Sequence, residues 1–327
     1  MRQNPRQTRD QTTIGAEPSA RSLGRAVLAL AAIGGLAACS ADQRLPSAPA
    51  QRASLPEVAQ HHQKRGVSAS LVYVSDASGV QQLWKLTNGV TSQLTFSGAV
   101  DKDPHSAAGH LVFASYRDGD EEIYMANNDL SGLVRLTTSR GEDEQPRLSP
   151  DGSRIAFVSY RSGAPRIWTM DSTGANQAAL ATGSESYVPE MAPSWSPDGS
   201  KLAYTSTRSG SSQLFVISAN GGTPVQLSNE MNGAFNPTWS ADGSTIYFVS
   251  VVGAPSLRAV TVAGGGTSDW VYDGAGVGQP TCSTSGCFAV EGAYGSNGDI
   301  VSVAADGSLT TVVGTAANET SPTVLVQ

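Results

Sequence analysis

The 327-residue sequence predicts an all-β chain: a six-bladed β-propeller with four-stranded blades, the first blade closed by the C-terminal strand. Three observations predict it. A turn motif recurs with a period in the low forties, the runs between turns are β-type with no helical periodicity, and the two end fragments complete each other.

The turn fixes the frame. "SPDGSRIAFVSYRSG" occupies residues 149–163 and "SPDGSKLAYTSTRSG" residues 196–210. Ser suits the first turn position, Pro presets φ at the second, and Gly fits the fourth. The Ser-x-x-Gly turn recurs at Ser106/Gly109, Ser149/Gly152, Ser196/Gly199, Ser240/Gly243 and Ser283/Gly286. A proline precedes each by two or three residues (Pro104, Pro146, Pro193, Pro237 and Pro280), at intervals of 42, 47, 44 and 43.

Each unit then reads as four strands in order. An inner strand begins at the proline. A second strand follows the turn, over Leu111–Tyr116, Ile155–Tyr160, Leu202–Ser206, Ile246–Ser250 and Phe288–Val290. These runs are rich in β-branched and aromatic residues, as strands are. A third strand covers Ile123–Ala126, Ile167–Met170, Leu214–Ile217, Leu257–Val260 and Ile300–Val303. The outer strand is short and ends at residues such as Leu136, Leu180 and Leu227. Residues 71–95 hold a second, third and outer strand without an inner one, while "ETSPTVLVQ" at the C-terminus holds only an inner strand, with Pro322 lying 42 residues after Pro280. Pairing the two makes a sixth blade and removes the open sheet edges that invite aggregation.

The N-terminus predicts an address. Arg2, Arg6, Arg9, Arg21 and Arg25 precede an apolar run from Ala26 to Ala38, and Leu36-Ala37-Ala38-Cys39 resembles a bacterial lipobox. The layout is that of a secretory signal, too short for a membrane span. Residues 1–38 are therefore expected to be a lipoprotein signal peptide, Cys39 the lipidated residue, and 39–66 a flexible tether to a propeller over 67–327. Ser40, where an inner-membrane retention signal would have Asp, resembles the pattern of outer-membrane lipoproteins. The expected chain from Cys39 onward has 16 basic and 26 acidic residues, a net charge of −10. Such a chain does not bind nucleic acid by neutralising phosphates; it suits a basic partner or a cation.

Cys282 and Cys287 flank the fifth turn, where a sister unit has Trp195 and Ser200. With no further Cys and no nearby His to complete a metal site, a cross-hairpin disulfide is expected in an oxidising compartment. Motifs of catalysis are absent: there is no G-x-S-x-G, no H-E-x-x-H and no phosphate-cradling glycine loop. The four histidines are His61, His62, His105 and His110. "GDEE" at 119–122 and "GEDE" at 141–144 read as solvated turns. An acid stands three residues before the blade proline in four units, Asp101, Asp143, Glu190 and Glu319, with Ala234 and Val277 as exceptions. Inner strands line a propeller's channel, so these four are expected to ring one mouth, where they would either receive a basic group or cap backbone N–H groups. Arg117, Arg161 and Arg208 recur after the second strand and read as loop clamps.

"PRLSPDGSRIAFVSYRSG" and "PSWSPDGSKLAYTSTRSG" resemble the WD-like propeller repeats of the TolB family, over roughly residues 67–327. The resemblance implies a six-bladed periplasmic propeller that binds envelope lipoproteins and colicins at its mouth. That family also carries an N-terminal α/β domain, for which residues 40–66 leave no room. The expectation is a monomeric, lipid-anchored envelope module that binds a protein or peptide through a propeller face, without catalysis, cofactor or metal. The alternative is a propeller enzyme acting on a glycan, as lyase or hydrolase, with the mouth carboxylates as acid and base.

Overall fold

The computed structural model describes residues 69–252, 254–263, 269–272, 276–292, 297–304 and 306–326. The signal segment 1–38, Cys39 and the tether 39–66 lie outside the described residues. The described residues form 24 strands and no helix, arranged as six four-stranded antiparallel sheets.

Five blades run in simple chain order. Their inner strands are β4 (Asp101–Ala107), β8 (Asp143–Leu148), β12 (Glu190–Trp195), β16 (Ala234–Trp239) and β20 (Val277–Ser283). The remaining blade, blade 1, is ordered β24 (Glu319–Val324), β1 (Leu71–Ser75), β2 (Gln82–Thr87), β3 (Val90–Gln93). Leu71 pairs with Val324 and Ser75 with Glu319, so the C-terminal strand closes the ring as the end fragments predict.

Second strands lie between the inner and third strands and have a blade stacked on each face. They are therefore buried on both sides and carry continuous apolar runs. In β9 (Arg154–Ser159) every residue from Ile155 on is buried, and β5 (His110–Ser115) is alike. The core is not one cluster. It divides into six, each spanning one seam between adjacent blades. Val324 packs with Leu71, Tyr73, Val290 and Ile300 across the seam of blades 1 and 6.

The repeated turn has a local cause. Asp151 Oδ1 accepts from Ser149 Oγ at 2.5 Å and from the Ser153 N–H at 3.1 Å, and Oδ2 accepts from Ser153 Oγ at 2.8 Å. Ser149 Oγ in turn accepts from the Arg154 N–H at 2.9 Å. Asp198 and Asp242 repeat the network with Ser196/Ser200 and Ser240/Ser244. Gly152, Gly199 and Gly243 take φ of 73°, 69° and 72°, a region costly for side chains with a Cβ. The duplicated fifteen residues are thus a turn lock, which blades 3, 4 and 5 share, joined to a doubly buried strand, which every blade requires.

Candidate functional site at the central channel

The inner strands run side by side around the axis and enclose a cavity of about 360 Å³, within the range of ligand sites. Two tiers of side chains line it. The residue before each blade proline gives Asp103, Gln145, Ala192, Asn236, Gln279 and Ser321. The residue after it gives His105, Arg147, Ser194, Thr238, Thr281 and Thr323. All six residues of the first tier have positive φ, between 48° and 53°, although none is glycine. The cause is a β-bulge at the same place in every blade, seen as a register shift between Lys102 and His105 in β4 and at the matching points elsewhere. Bulges re-aim side chains, and here they turn the first tier toward the axis. Gln145 Oε1 accepts from the Ala192 N–H at 2.8 Å and Gln279 Oε1 from the Ser321 N–H at 2.7 Å, tying neighbouring blades together at this level.

Below the tiers the wall continues to the turns: Pro150, Pro197, Ala241 and Thr284 line the cavity, so it reaches the face that carries the turn locks. Trp195 donates from Nε1 to the Arg147 carbonyl at 2.8 Å, and Trp239 to the Ser194 carbonyl at 3.0 Å. These bonds carry each blade's last inner-strand residue onto its neighbour. The turn aspartates Asp151, Asp198 and Asp242 are exposed beside this opening. The Ser149 hydroxyl, with the Ser153 N–H and hydroxyl, holds the Asp151 carboxyl down at about 2, and Ser196 with Ser200 does the same for Asp198. Hydrogen bonds from Ser240 and Ser244 lower Asp242 as well.

The four predicted mouth acids are elsewhere. Asp101, Asp143 and Glu190 have 0% exposure and Glu319 1%, and none lines the cavity. Each opens its inner strand opposite a serine of the second strand, and three of the four meet arginines, Glu190 one from its own blade and one from blade 3. Asp101 meets Arg117 at 3.0 Å, Asp143 meets Arg161 at 2.7 Å, and Glu190 meets both Arg166 and Arg208 at 3.0 Å. Glu319 has no arginine; it accepts from Ser75 Oγ at 3.3 Å and Thr315 Oγ1 at 2.6 Å. The expectation of an exposed ring is therefore corrected: the first residue of an inner strand points between strands, not into the channel. Arg117, Arg161 and Arg208 are clamps, as expected, and each also lies over two aromatic rings of its blade, Arg161 at 4.5 Å from the Trp168 centroid. Blade 5 keeps the device despite Ala234: Glu230, four residues earlier, reaches Arg258 at 2.7 Å and Ser250 at 2.7 Å.

The acidic turns are corrected too. Glu121 and Glu122 are buried, and Arg135 holds Glu122 at 2.9 Å. Lys102 Nζ lies 2.9 Å from Glu121 and 3.1 Å from Glu144, at the seam of blades 2 and 3. Burial, countered in part by Lys102, pushes Glu121 up to about 7. Asp103, Glu121 and Glu144 bring oxygens within 4.8 Å of one another, a donor set a cation could use, but the Lys102 ammonium already takes that place. The expected disulfide joins Cys282 and Cys287, directly opposed on β20 and β21 (Gly286–Glu291).

The wall is built one residue either side of the blade proline, not three residues before it. The proline itself was the signal, and only the bulge, which sequence does not display, says which neighbours face the axis.

Comparison with known proteins agrees with this architecture. The family described as the TolB beta propeller domain matches residues 104–191 and 188–325. A protein TolB homolog of Chlorobaculum tepidum is 35% identical over 114 residues, 32% of this chain and 26% of that protein. The match thus spans about a quarter of the curated relative's length. Among solved structures, TolB of Acinetobacter baumannii superposes with a TM-score of 0.67 at 19% identity, covering 80% of this chain and 67% of that one. Hydrazine synthase of Kuenenia stuttgartiensis superposes at 0.65 with 15% identity, over 82% of this chain and 48% of that one. At such identities the likeness is one of fold.

Proposed function

Because the chain belongs to the TolB beta propeller domain family, we propose that it is a non-catalytic binding module of the bacterial cell envelope, docking a protein or peptide at the channel mouth on the turn face. The observation that carries this reading is the cavity itself, walled by polar side chains from all six inner strands and rimmed by three exposed aspartates. The hydroxyl networks keep Asp151 and Asp198 ionised at any pH an envelope meets, so the rim attracts a basic segment. The four buried acids hold the strand entrances in place and do not touch the partner. The alternative of a glycan lyase or hydrolase gains no support, since the four carboxylates it would use as acid and base are buried away from the cavity.

The proposal includes anchoring to the outer membrane by lipid on Cys39, as a monomer facing the periplasm or the cell surface. Its support is the sequence layout of residues 1–39. The test compares crosslinked partners captured from intact envelopes by the wild-type chain and by the Asp151→Asn, Asp198→Asn, Asp242→Asn triple variant. Asn keeps the acceptor oxygen that locks the turn and removes the charge. Loss of the wild type's specific partners with an unchanged melting curve is expected; full capture at physiological salt overturns docking at this rim. Cys39→Ala is expected to move the protein to the soluble fraction, and continued sedimentation with membranes removes lipid as the anchor.

A further inference from the structure

Arg147 stands apart from the arginines that clamp the strand entrances. Arg117, Arg161, Arg166, Arg208 and Arg258 each meet a carboxylate. Arg147 lines the cavity and makes no ion pair; one guanidinium nitrogen donates to the Pro146 carbonyl at 2.8 Å. Asp103 acts on it through space, but its carboxylate belongs to the group gathered around Lys102 with Glu121 and Glu144. Burial presses the Arg147 pKa downward, and Asp103 opposes the shift only in part.

The neighbouring blade supplies a second donor. His105 Nδ1 accepts from the Leu148 N–H at 3.2 Å. A neutral imidazole that accepts at Nδ1 carries its proton on Nε2. Burial, aided by the Arg147 charge, lowers His105 to about 3, so the ring stays neutral and that tautomer persists. Gln145, in the tier above, accepts through Oε1 from Ala192 and keeps its amide N–H₂ group as a further donor on the wall. Donors therefore converge from blades 2 and 3 on one part of the cavity.

We propose that Arg147 and His105 form a carboxylate-binding site inside the channel that receives the C-terminal carboxylate of a peptide. This rests on docking at the turn-face mouth and names the group that enters. Arg147 precedes Pro150 of the rim by three residues, at most roughly 10 Å of extended chain, so a terminus seated on the guanidinium leaves the residues upstream of it at the mouth. There Trp195 and Trp239 border the wall and Asp151 and Asp198 stand outside it. One ligand thereby satisfies both charges: a basic residue at the rim and a terminal carboxylate below. A planar guanidinium takes a carboxylate through two parallel hydrogen bonds, which gives direction as well as affinity.

The test uses the full chain and a fluorescein-labelled lysine-lysine-alanine-alanine-alanine peptide, with a free or an amidated C-terminus, read by fluorescence anisotropy. The free acid is expected to bind about tenfold more tightly than the amide, the effect of one charge-assisted contact. Arg147→Gln is expected to abolish that difference, with the free acid losing more affinity than the amide. Should Arg147→Gln fail to fold, His105→Asn retains an acceptor for the Leu148 N–H, removes the Nε2 donor and is expected to narrow the difference severalfold. Equal binding of acid and amide, with both weakened in the triple asparagine variant, overturns the carboxylate site and leaves mouth docking standing. No binding of either peptide by the wild type overturns both. Acetate competing as well as the free-acid peptide would assign the site to small free acids and overturn the peptide terminus.

Discussion

Asp143 and Glu319 occupy the same place in their blades and meet opposite surroundings. Asp143 is paired with Arg161, whose side chain is 20% exposed, and Asp143→Asn takes the carboxylate from that cation over the Trp168 ring, leaving it only the neutral acceptors Ser159 Oγ and Gln177 Oε1. A buried pair broken on one side costs several kcal/mol; with one member partly solvated, roughly 2–3 kcal/mol is expected from denaturant unfolding. Glu319 is held by the hydroxyls of Ser75 and Thr315 and by no cation, and burial raises its pKa. A raised carboxyl favours the folded state below its unfolded pKa and loses that contribution as pH rises through the folded value. Glu319→Gln is therefore expected to melt at the same or a higher temperature at neutral pH, any gain vanishing below about pH 4.5, where both side chains are neutral. A destabilised Glu319→Gln at neutral pH contradicts this assignment. The acids and the arginines were each legible as recurrences, but not their pairing. Asp101 and Arg117 lie 16 residues apart, and nothing in spacing says that two strands fold them together out of water.

At the level of the element, blade 6 differs from blades 3, 4 and 5 in its turn and shares a tight turn with blade 2, where Ala107 pairs with His110. Cys282 pairs directly with Cys287, and Ser283 with Gly286. In blade 4, Trp195 pairs with Leu202, so the intervening turn is longer. Counting residues from the turn serine aligns Cys287 with Ser200; the register places it level with Leu202. Blade 6 closes its first hairpin tightly and puts a covalent link where blades 4 and 5 put an indole bonded across the seam. For so short a loop, Cys282→Ser with Cys287→Ser is expected to cost about 2 kcal/mol on the chain-entropy argument. In a domain of this size that is roughly 4–8 °C in melting temperature; a variant melting with the wild type would show that the link adds nothing. The second and third strands were legible in nearly their observed bounds because double burial writes continuous apolar runs. The outer strands β7 (Val134–Arg135), β11 (Ala178–Ala179) and β15 (Val225–Gln226) are two residues each and partly exposed, so burial leaves no pattern in them.

For the whole molecule, six core clusters at six seams mean that no blade owns its core. Stability is shared by neighbours, as in other repeat folds, but the ring has no end cap. Removing residues 319–327 takes β24 from blade 1 and Val324 from the seam with blade 6. Loss of a single cooperative transition and aggregation on expression are expected; an unchanged melting curve would contradict closure by this strand. The blade count and the closure were legible because the proline period reaches Pro322 in the C-terminal fragment, which holds the inner strand that residues 71–95 lack. The channel chemistry was not, since it depends on six bulges acting at one level. The closing ladder also decides how the ring answers a pulling force. Leu71 and Val324 face each other at the same end of two antiparallel strands. Tension applied at these two positions loads the outermost pair first and opens the ladder rung by rung, so blade 1 unzips at low force while the five covalently continuous blades are still unstrained.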